Sequence, residues 1–303
     1  MLKRLNFPGD MRIREEFNAW LFVLPTALGL LIFQLFPVLF SLYVSFTNWN
    51  LITPPKWLGF QNYRDLFTID PFFVSTLRNT VLYAVGTVSF SLFFAILVAL
   101  LLNQQLKGKE FFRAVFFLPV VLPTASAALA WTWMYDANAG IINSFLKLLG
   151  LAPIPWLVNT NYALWALIIE AIWASLGFNT IIFLAGLQNI SKDYYEAASI
   201  DGANAWQKFV NITLPLLSPT TFFVLVTSII NAVQIFDLPF IMTGGGPANA
   251  TQTIVMYIYS NAFRLQRMGL ASAVGYMVFI IILGLTYLNF KFEKKWVFYE
   301  EAV

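Results

Sequence analysis

Residues 80–102 read TVLYAVGTVSFSLFFAILVALLL, a run without a single Asp, Glu, Lys or Arg. A helix of that length rises about 34 Å at 1.5 Å per residue, enough to cross a hydrocarbon core of about 30 Å. Its apolar residues are near-continuous instead of alternating, and lipid offers no partner to an open backbone group. The segment must therefore cross as a helix, and a porin-like barrel is excluded. Similar windows lie on either side, at Phe17 to Phe46, Ala114 to Tyr135, Tyr162 to Leu187, Leu216 to Ile241 and Met268 to Phe290. The expected fold class is an all-α membrane protein with six transmembrane helices.

Composition narrows the chemistry. Of 303 residues 59% are hydrophobic and only 11% charged, and neither cysteine nor histidine occurs. Disulfides, thiolate metal sites and the usual general base are thereby removed. The net charge of +3 belongs to Lys and Arg spread over loops, and membrane orientation accounts for it without nucleic-acid binding. Lys3, Arg4, Arg12 and Arg14 precede an apolar stretch, as in a secretory signal. That stretch is about 30 residues with Pro25 and Pro37 inside it and no small-residue cleavage pattern, so a first membrane helix is expected instead.

With the N-terminus in the cytoplasm, twelve of the eighteen basic residues fall inside: those four with Lys107, Lys109, Arg113, Lys192, Lys208, Lys291, Lys294 and Lys295. Lys56, Arg64, Arg78, Lys147, Arg264 and Arg267 fall outside. The twofold bias follows the positive-inside rule and puts both termini in the cytoplasm. The loop from Gln188 to Leu214 then faces inward. Residues 47–76, 136–161 and 243–267 form substantial outer loops, the second holding a short amphipathic helix from Ile141 to Leu151.

Within the inner loop, Asp193 followed by Glu196 fits a helix N-cap with its reciprocal partner. Tyr194, Tyr195, Ala197, Ala198 and Ile200 give that helix an apolar surface, and Gly202 can end it with a positive φ. A second helical stretch is expected over Ala203 to Ile212, with Pro215 marking the entry to the fifth span. Two short helices meeting at small residues make a knob that fits a groove on another protein. A hairpin lying on the membrane surface is the alternative reading of these residues.

Glu196-Ala197-Ala198, three residues, Gly202, nine residues, Ile212, one residue and Leu214-Pro215 resemble the EAA motif of binding-protein-dependent ABC import permeases. The run Thr243-Gly244-Gly245-Gly246-Pro247, then Thr251-Gln252-Thr253, Tyr257-Ile258-Tyr259, Ala262-Phe263 and Gly269 to Ala273, looks like the carbohydrate branch of that family. The resemblance covers about Asn62 to Phe290. It implies the type I importer fold (MetI-like), with a cytoplasmic segment at 1–16, a first helix and outer loop at 17–76, a permease core at 77–290 carrying the coupling loop 188–215, and a tail at 291–303. It also implies the bacterial cytoplasmic (inner) membrane, a second homologous permease subunit, an ATPase subunit dimer and an extracytoplasmic solute-binding protein. The maltose-system subunit differs by extra N-terminal helices and a large external insertion, so its contacts with its binding protein do not carry over.

By this resemblance Glu196, Ala197, Ala198, Asp201 and Gly202 are the ATPase-coupling residues. No Gly-rich phosphate loop ending in Gly-Lys-Ser or Gly-Lys-Thr occurs, so no cofactor is expected on this chain and ATP-Mg belongs to the partner ATPase. The chain is expected to be no enzyme. Solute contacts carried over by residue are Ser175, Phe178, Ser228, Asn231, Ala232 and Ile235.

Polarity alone extends the set. Charges within the bilayer cost about 2.5–3.5 kcal/mol on insertion scales, and Glu170 and Asp237 are such charges. Ser228, Asn231, Gln234 and Asp237 follow i, i+3 spacing on the fifth span, with Asn231 about 14 Å in from Phe222, near the midplane. Amides and carboxylates match sugar hydroxyls, which adds Gln234 and Asp237 to the solute-binding set; interhelical hydrogen bonding explains Ser and Asn equally well. Trp131, Trp133 and Trp173 suit ring stacking or interfacial anchoring. The expected function is import of a sugar or sugar-like solute (a di- or oligosaccharide, a glucosylglycerol-like osmolyte or a glycerol-phosphate) by alternating access coupled to a separate ATPase. An intramembrane enzyme using Glu170, Asp136 or Asp237 is the alternative.

Overall fold

The computed structural model describes residues 9–104 and 107–298, with side chains from Glu16 onward. Lys3, Arg4, the side chains of Arg12 and Arg14, and the tail beyond residue 298 lie outside that description. The helices are α1 (Gly9–Leu30), α2 (Phe36–Ser45), α3 (Gln61–Thr68), α4 (Phe73–Asn103), α5 (Lys109–Val121), α6 (Thr124–Met134), α7 (Ile141–Leu148), α8 (Ala163–Gln188), α9 (Lys192–Ile200), α10 (Ala205–Lys208), α11 (Leu214–Leu216), α12 (Ser218–Val233), α13 (Asp237–Met242), α14 (Ile254–Tyr259) and α15 (Met268–Trp296). Among the described residues there is no strand, only an isolated bridge between Thr47 and Trp57.

Five helical stretches are long and apolar enough to cross a bilayer: Glu16–Ser45, Phe73–Asn103, Ala163–Gln188, Ser218–Met242 and Met268–Trp296. The third of the six expected spans is not one rod. α5 and α6 meet at 102°, and counting the bent pair as one span gives six. Pro123 causes the break: the residue before a proline is pushed out of the α region, and Leu122 takes φ −77°, ψ 134°. The fifth span is also interrupted, between Val233 and Asp237. Pro239 has no N–H for the Ile235 carbonyl, and its ring would clash there. That carbonyl instead accepts the Thr253 hydroxyl at 3.0 Å.

Prolines elsewhere are absorbed. π turns at Leu31–Leu35 and Phe209–Thr213 each end two residues before a proline, Pro37 and Pro215. The extra residue shifts bonding to i−5, as Phe36 N–H to the Leu31 carbonyl and Leu214 N–H to the Phe209 carbonyl. Each helix thereby survives its proline, a known accommodation in membrane helices.

The chain forms two compact units. One takes the described residues up to Arg64 together with Asn261–Tyr276. Inside it, the Asn62 side-chain amide donates to the carbonyls of Ser45 and Thr47, both at 2.8 Å, and Tyr63 OH donates to Ser45 Oγ at 2.8 Å. Gly269 lies so close to the Thr47 carbonyl that a Cβ there would overlap it.

The other unit, Asp65–Ser260 with Met277–Val303, is built on α4 packed along α8, with α12 against both, α5 against α8 and α13 against α6. Lipid tails are as apolar as leucine, so close van der Waals approach selects the inward face. On α4 the buried positions include Thr76, Thr80, Thr87, Ser91, Ala95 and Ala99, while Val85, Phe93, Leu97 and Leu101 are exposed. Ala95, Ala99 and Leu102 meet Phe183, Leu184, Leu187, Leu217 and Val224 in one cluster. α7 is three residues shorter than expected. Its Asn143 ties the loop together, accepting from Ile154 N–H (3.0 Å) and Trp156 Nε1 (3.2 Å) and donating to the Ile154 carbonyl (2.9 Å).

Candidate functional site

The segment expected to dock a partner is an exposed elbow. Its first helix is capped by Ser191, whose Oγ accepts the Asp193 N–H at 3.2 Å. The cap is thus two residues earlier than the Asp193 expected from spacing. Asp193 sits in the first turn, where its charge favours the helix N-terminus. Gly202 ends the helix at φ +77°. Gly202 N–H bonds the Ser199 carbonyl (3.2 Å) and Ala203 N–H the Ala198 carbonyl (2.9 Å), the paired bonds of a Schellman turn.

The second arm starts two residues later than expected, because Asn204 and Gln207 form a capping box: Gln207 N–H to Asn204 Oδ1 at 2.9 Å and Asn204 N–H to Gln207 Oε1 at 2.8 Å. From there it is helical through the π turn to Leu216. The arms are tied directly. Tyr195 OH and Thr213 Oγ1 are 2.9 Å apart, Lys208 Nζ donates to Ser199 Oγ at 2.6 Å, and Ser199 Oγ donates to the Tyr195 carbonyl at 2.6 Å. Glu196, Ala197, Asp201 and Gly202 are exposed and Ala198 is half-buried. Around them Ile200 is 88% and Trp206 71% exposed, a large apolar surface on a braced knob.

The second region is a cavity of about 350 Å³ in the α4–α8 unit, within the roughly 300–1,000 Å³ usual for small-molecule sites. Ser175 and Phe178 of α8, Ser228, Asn231 and Ala232 of α12, and Ile235 just beyond it all line this cavity. Gln234 and Asp237 do not. The expected polar stripe presumes one continuous helix, but α12 stops at Val233, so i, i+3 spacing no longer fixes a common face. Gln234 closes α12 and Asp237 opens α13, both exposed.

Sequence reasoning missed part of the lining. Tyr83, Thr87 and Ser91 of α4 line it at i, i+4 and i+8, with Asn179 of α8 donating to Ser91 Oγ at 3.4 Å. The signal was present as a polar stripe at helical spacing inside an otherwise apolar span. Glu170, noted for its charge, also lines the cavity, and its Oε1 is buried without a hydrogen-bond partner. Trp131 and Trp173 pack edge to face on each other with centroids 5.6 Å apart, and Trp133 is exposed; none of the three lines the cavity.

The three carboxylates of the enzyme alternative do not share this site. Asp136 lies in the loop after α6, where its carboxylate accepts the N–H groups of Ala139 (2.8 Å) and Asn138 (2.9 Å), which hold its pKa below the ordinary value. It organises a turn. Among the described residues no cluster of three or more Asp or Glu could hold a metal ion.

The Gly-rich run after α13 is a cross-braced loop. Thr243 Oγ1 and Thr251 Oγ1 are 2.6 Å apart, and Thr251 Oγ1 donates to the Gly246 carbonyl at 2.8 Å. Two long-range bonds anchor it to α4: Asn79 Nδ2 to the Asn249 carbonyl at 2.8 Å and Ile254 N–H to Thr80 Oγ1 at 2.9 Å.

Residues 91–296 match the family profile described as binding-protein-dependent transport system inner membrane component. The chain is similar to the probable ABC transporter permease protein YesP of Bacillus subtilis, 37% identical over 95% of this chain and 94% of that one. It is also similar to the trehalose/maltose transport system permease protein MalF of Thermococcus litoralis, 34% identical over 94% of this chain and 97% of the relative. In fold it matches a chain from the crystal structure of a bacterial alginate ABC transporter in complex with an alginate pentasaccharide-bound periplasmic protein, with a TM-score of 0.82 at 23% identity over 94% and 96% of the two chains.

Proposed function

Because this chain belongs to the binding-protein-dependent transport system inner membrane components, as a multi-pass, non-catalytic permease subunit of carbohydrate ABC transporters, we propose that it forms half of the path by which a bacterial ATP-driven importer carries a sugar or sugar-like solute across the inner membrane. The sugar class is suggested by relatives such as the trehalose/maltose permease. A similar six-helix subunit completes the path, an ATPase pair supplies the energy, and an external binding protein delivers the solute. Both termini and the elbow face the cytoplasm, in keeping with the distribution of basic residues.

One observation carries the coupling role: Glu196, Ala197, Ala198 and Gly202 sit on an exposed knob whose two arms are hydrogen-bonded to each other. Such a knob passes force without bending. Its second arm runs by way of the π turn and α11 into α12, the helix that brings Ser228 and Asn231 to the cavity. Closure of the ATPase pair on the knob would thus tilt a wall of the cavity, and the site would open to the two sides in turn. The helix breaks at Pro123 and Pro239 supply the jointed packing that such alternation needs.

Gly202→Asp tests the assignment. The variant should still insert in the membrane and assemble, yet lose solute-stimulated ATP turnover of the reconstituted complex. Full stimulation would show that the knob is not the coupling element.

A further inference from the structure

The cavity has a one-sided electrical character. Among the described residues its only carboxyl is Glu170, and no Lys or Arg lines it. None occurs anywhere in α6, α8, α12 or α13. The basic residues on the remaining lining helices, Arg78 of α4 and Lys109 and Arg113 of α5, precede the first lining residue of their helix by at least five positions.

A polar group in the wall also lacks a partner: Glu170 is 2% exposed, and its Oε1 makes no hydrogen bond among the described residues. A buried polar atom left open costs about 1–3 kcal/mol, more if charged. A hydroxyl or amino group of a bound solute satisfies it.

We propose that Glu170 is a solute-contacting residue and that the cavity takes uncharged or amino-bearing sugars while rejecting anionic ones. The inference rests on reading the chain as a sugar permease subunit. It holds in either protonation state of the carboxyl. Ionised, Glu170 repels a carboxylate or phosphate at short range and accepts hydroxyl or ammonium donors. Protonated, it still exchanges hydrogen bonds with neutral hydroxyls but offers no countercharge. An anion entering the cavity would lose its hydration without a lining cation among the described residues to compensate it, which is the costly case of charge burial.

The complete transporter, reconstituted in proteoliposomes with its binding protein and ATP, is offered radiolabelled maltose, trehalose, the chitosan dimer, maltobionate and glycerol 3-phosphate. Uptake confined to the first three is expected. Uptake of maltobionate or glycerol 3-phosphate overturns the selection while leaving sugar transport standing; uptake of none sinks the sugar reading and this inference together.

A second measurement removes the binding protein's own preference. The solubilised complex without binding protein is titrated with maltose and with maltobionate, following tryptophan fluorescence. Wild type should favour maltose by at least about tenfold, the worth of one charge-assisted hydrogen bond. Glu170→Lys, which places a cation in the cavity, should bring the ratio to unity or below whichever protonation state the carboxyl holds; an unchanged ratio would remove Glu170 from the role.

Discussion

The elbow at 191–217 and the cavity among α4, α5, α6, α8 and α12 are built on opposite principles. The cap, turn and brace hydrogen bonds of the elbow span at most eighteen positions of sequence: the Ser191 cap, the Asn204–Gln207 box, the Gly202 turn and the Tyr195–Thr213 brace. The cavity is assembled from residues 83 to 238, and its polar link from Asn179 to Ser91 bridges 88 positions. Local construction makes a stiff part that keeps its shape while the rest moves. Long-range construction makes a part whose shape changes whenever helices shift, as a transport site requires.

The largest expected effect is at a crossing that frames the cavity. A Cβ on Gly177 of α8 would overlap the Phe116 carbonyl and stand 3.1 Å from Phe117 Cα on α5. Backbone cannot yield as a flexible side chain does. Gly177→Val should therefore destabilise by more than the roughly 1–3 kcal/mol usual for overpacking, visible as loss of a monodisperse peak in fluorescence-detected size-exclusion chromatography. A well-behaved variant with native solute affinity would mean that this crossing is loose.

Ser191→Ala should have an intermediate and local effect. Loss of the cap costs about 1 kcal/mol, read as faster hydrogen exchange at the amides of Asp193 to Tyr195, with global melting little changed. A fall in melting temperature matching that of Gly177→Val would show the elbow to be part of the cooperative core. Tyr195→Phe should do least, weakening the brace by about 0.5–1.5 kcal/mol. Its signature is a modest drop in solute-stimulated ATP turnover with solute binding intact; weakened solute binding would blur the separation between the two regions.

Much of the elbow was legible because its determinants are near neighbours in the chain. Gly202 needed only its own freedom at positive φ to announce the helix end. The error at the cap, Asp193 for Ser191, arose because both residues are good caps and only the extended backbone of Ser191 (φ −60°, ψ 138°) distinguishes them. In the cavity, Ser175, Phe178, Ser228, Asn231, Ala232 and Ile235 converge, but Gln234 and Asp237 do not. Pro239 was visible in the sequence. Its consequence was not, because a proline can bend, break or be absorbed by a π turn, as Pro37 and Pro215 are.

The sequence alone determined that the chain crosses the bilayer as helices, roughly where each span lies, and that an elbow punctuates it before α12. Those properties follow from apolar run length and from caps, which act over a few residues. Only the tertiary structure decided which face of each helix turns inward, that the third span bends by 102°, and that Glu170 joins Thr87 at one cavity wall. In a bilayer hydrophobicity no longer separates inside from outside, so these choices fall to shape: which small residues let two backbones approach, and which carbonyls freed by proline find a partner outside their own helix.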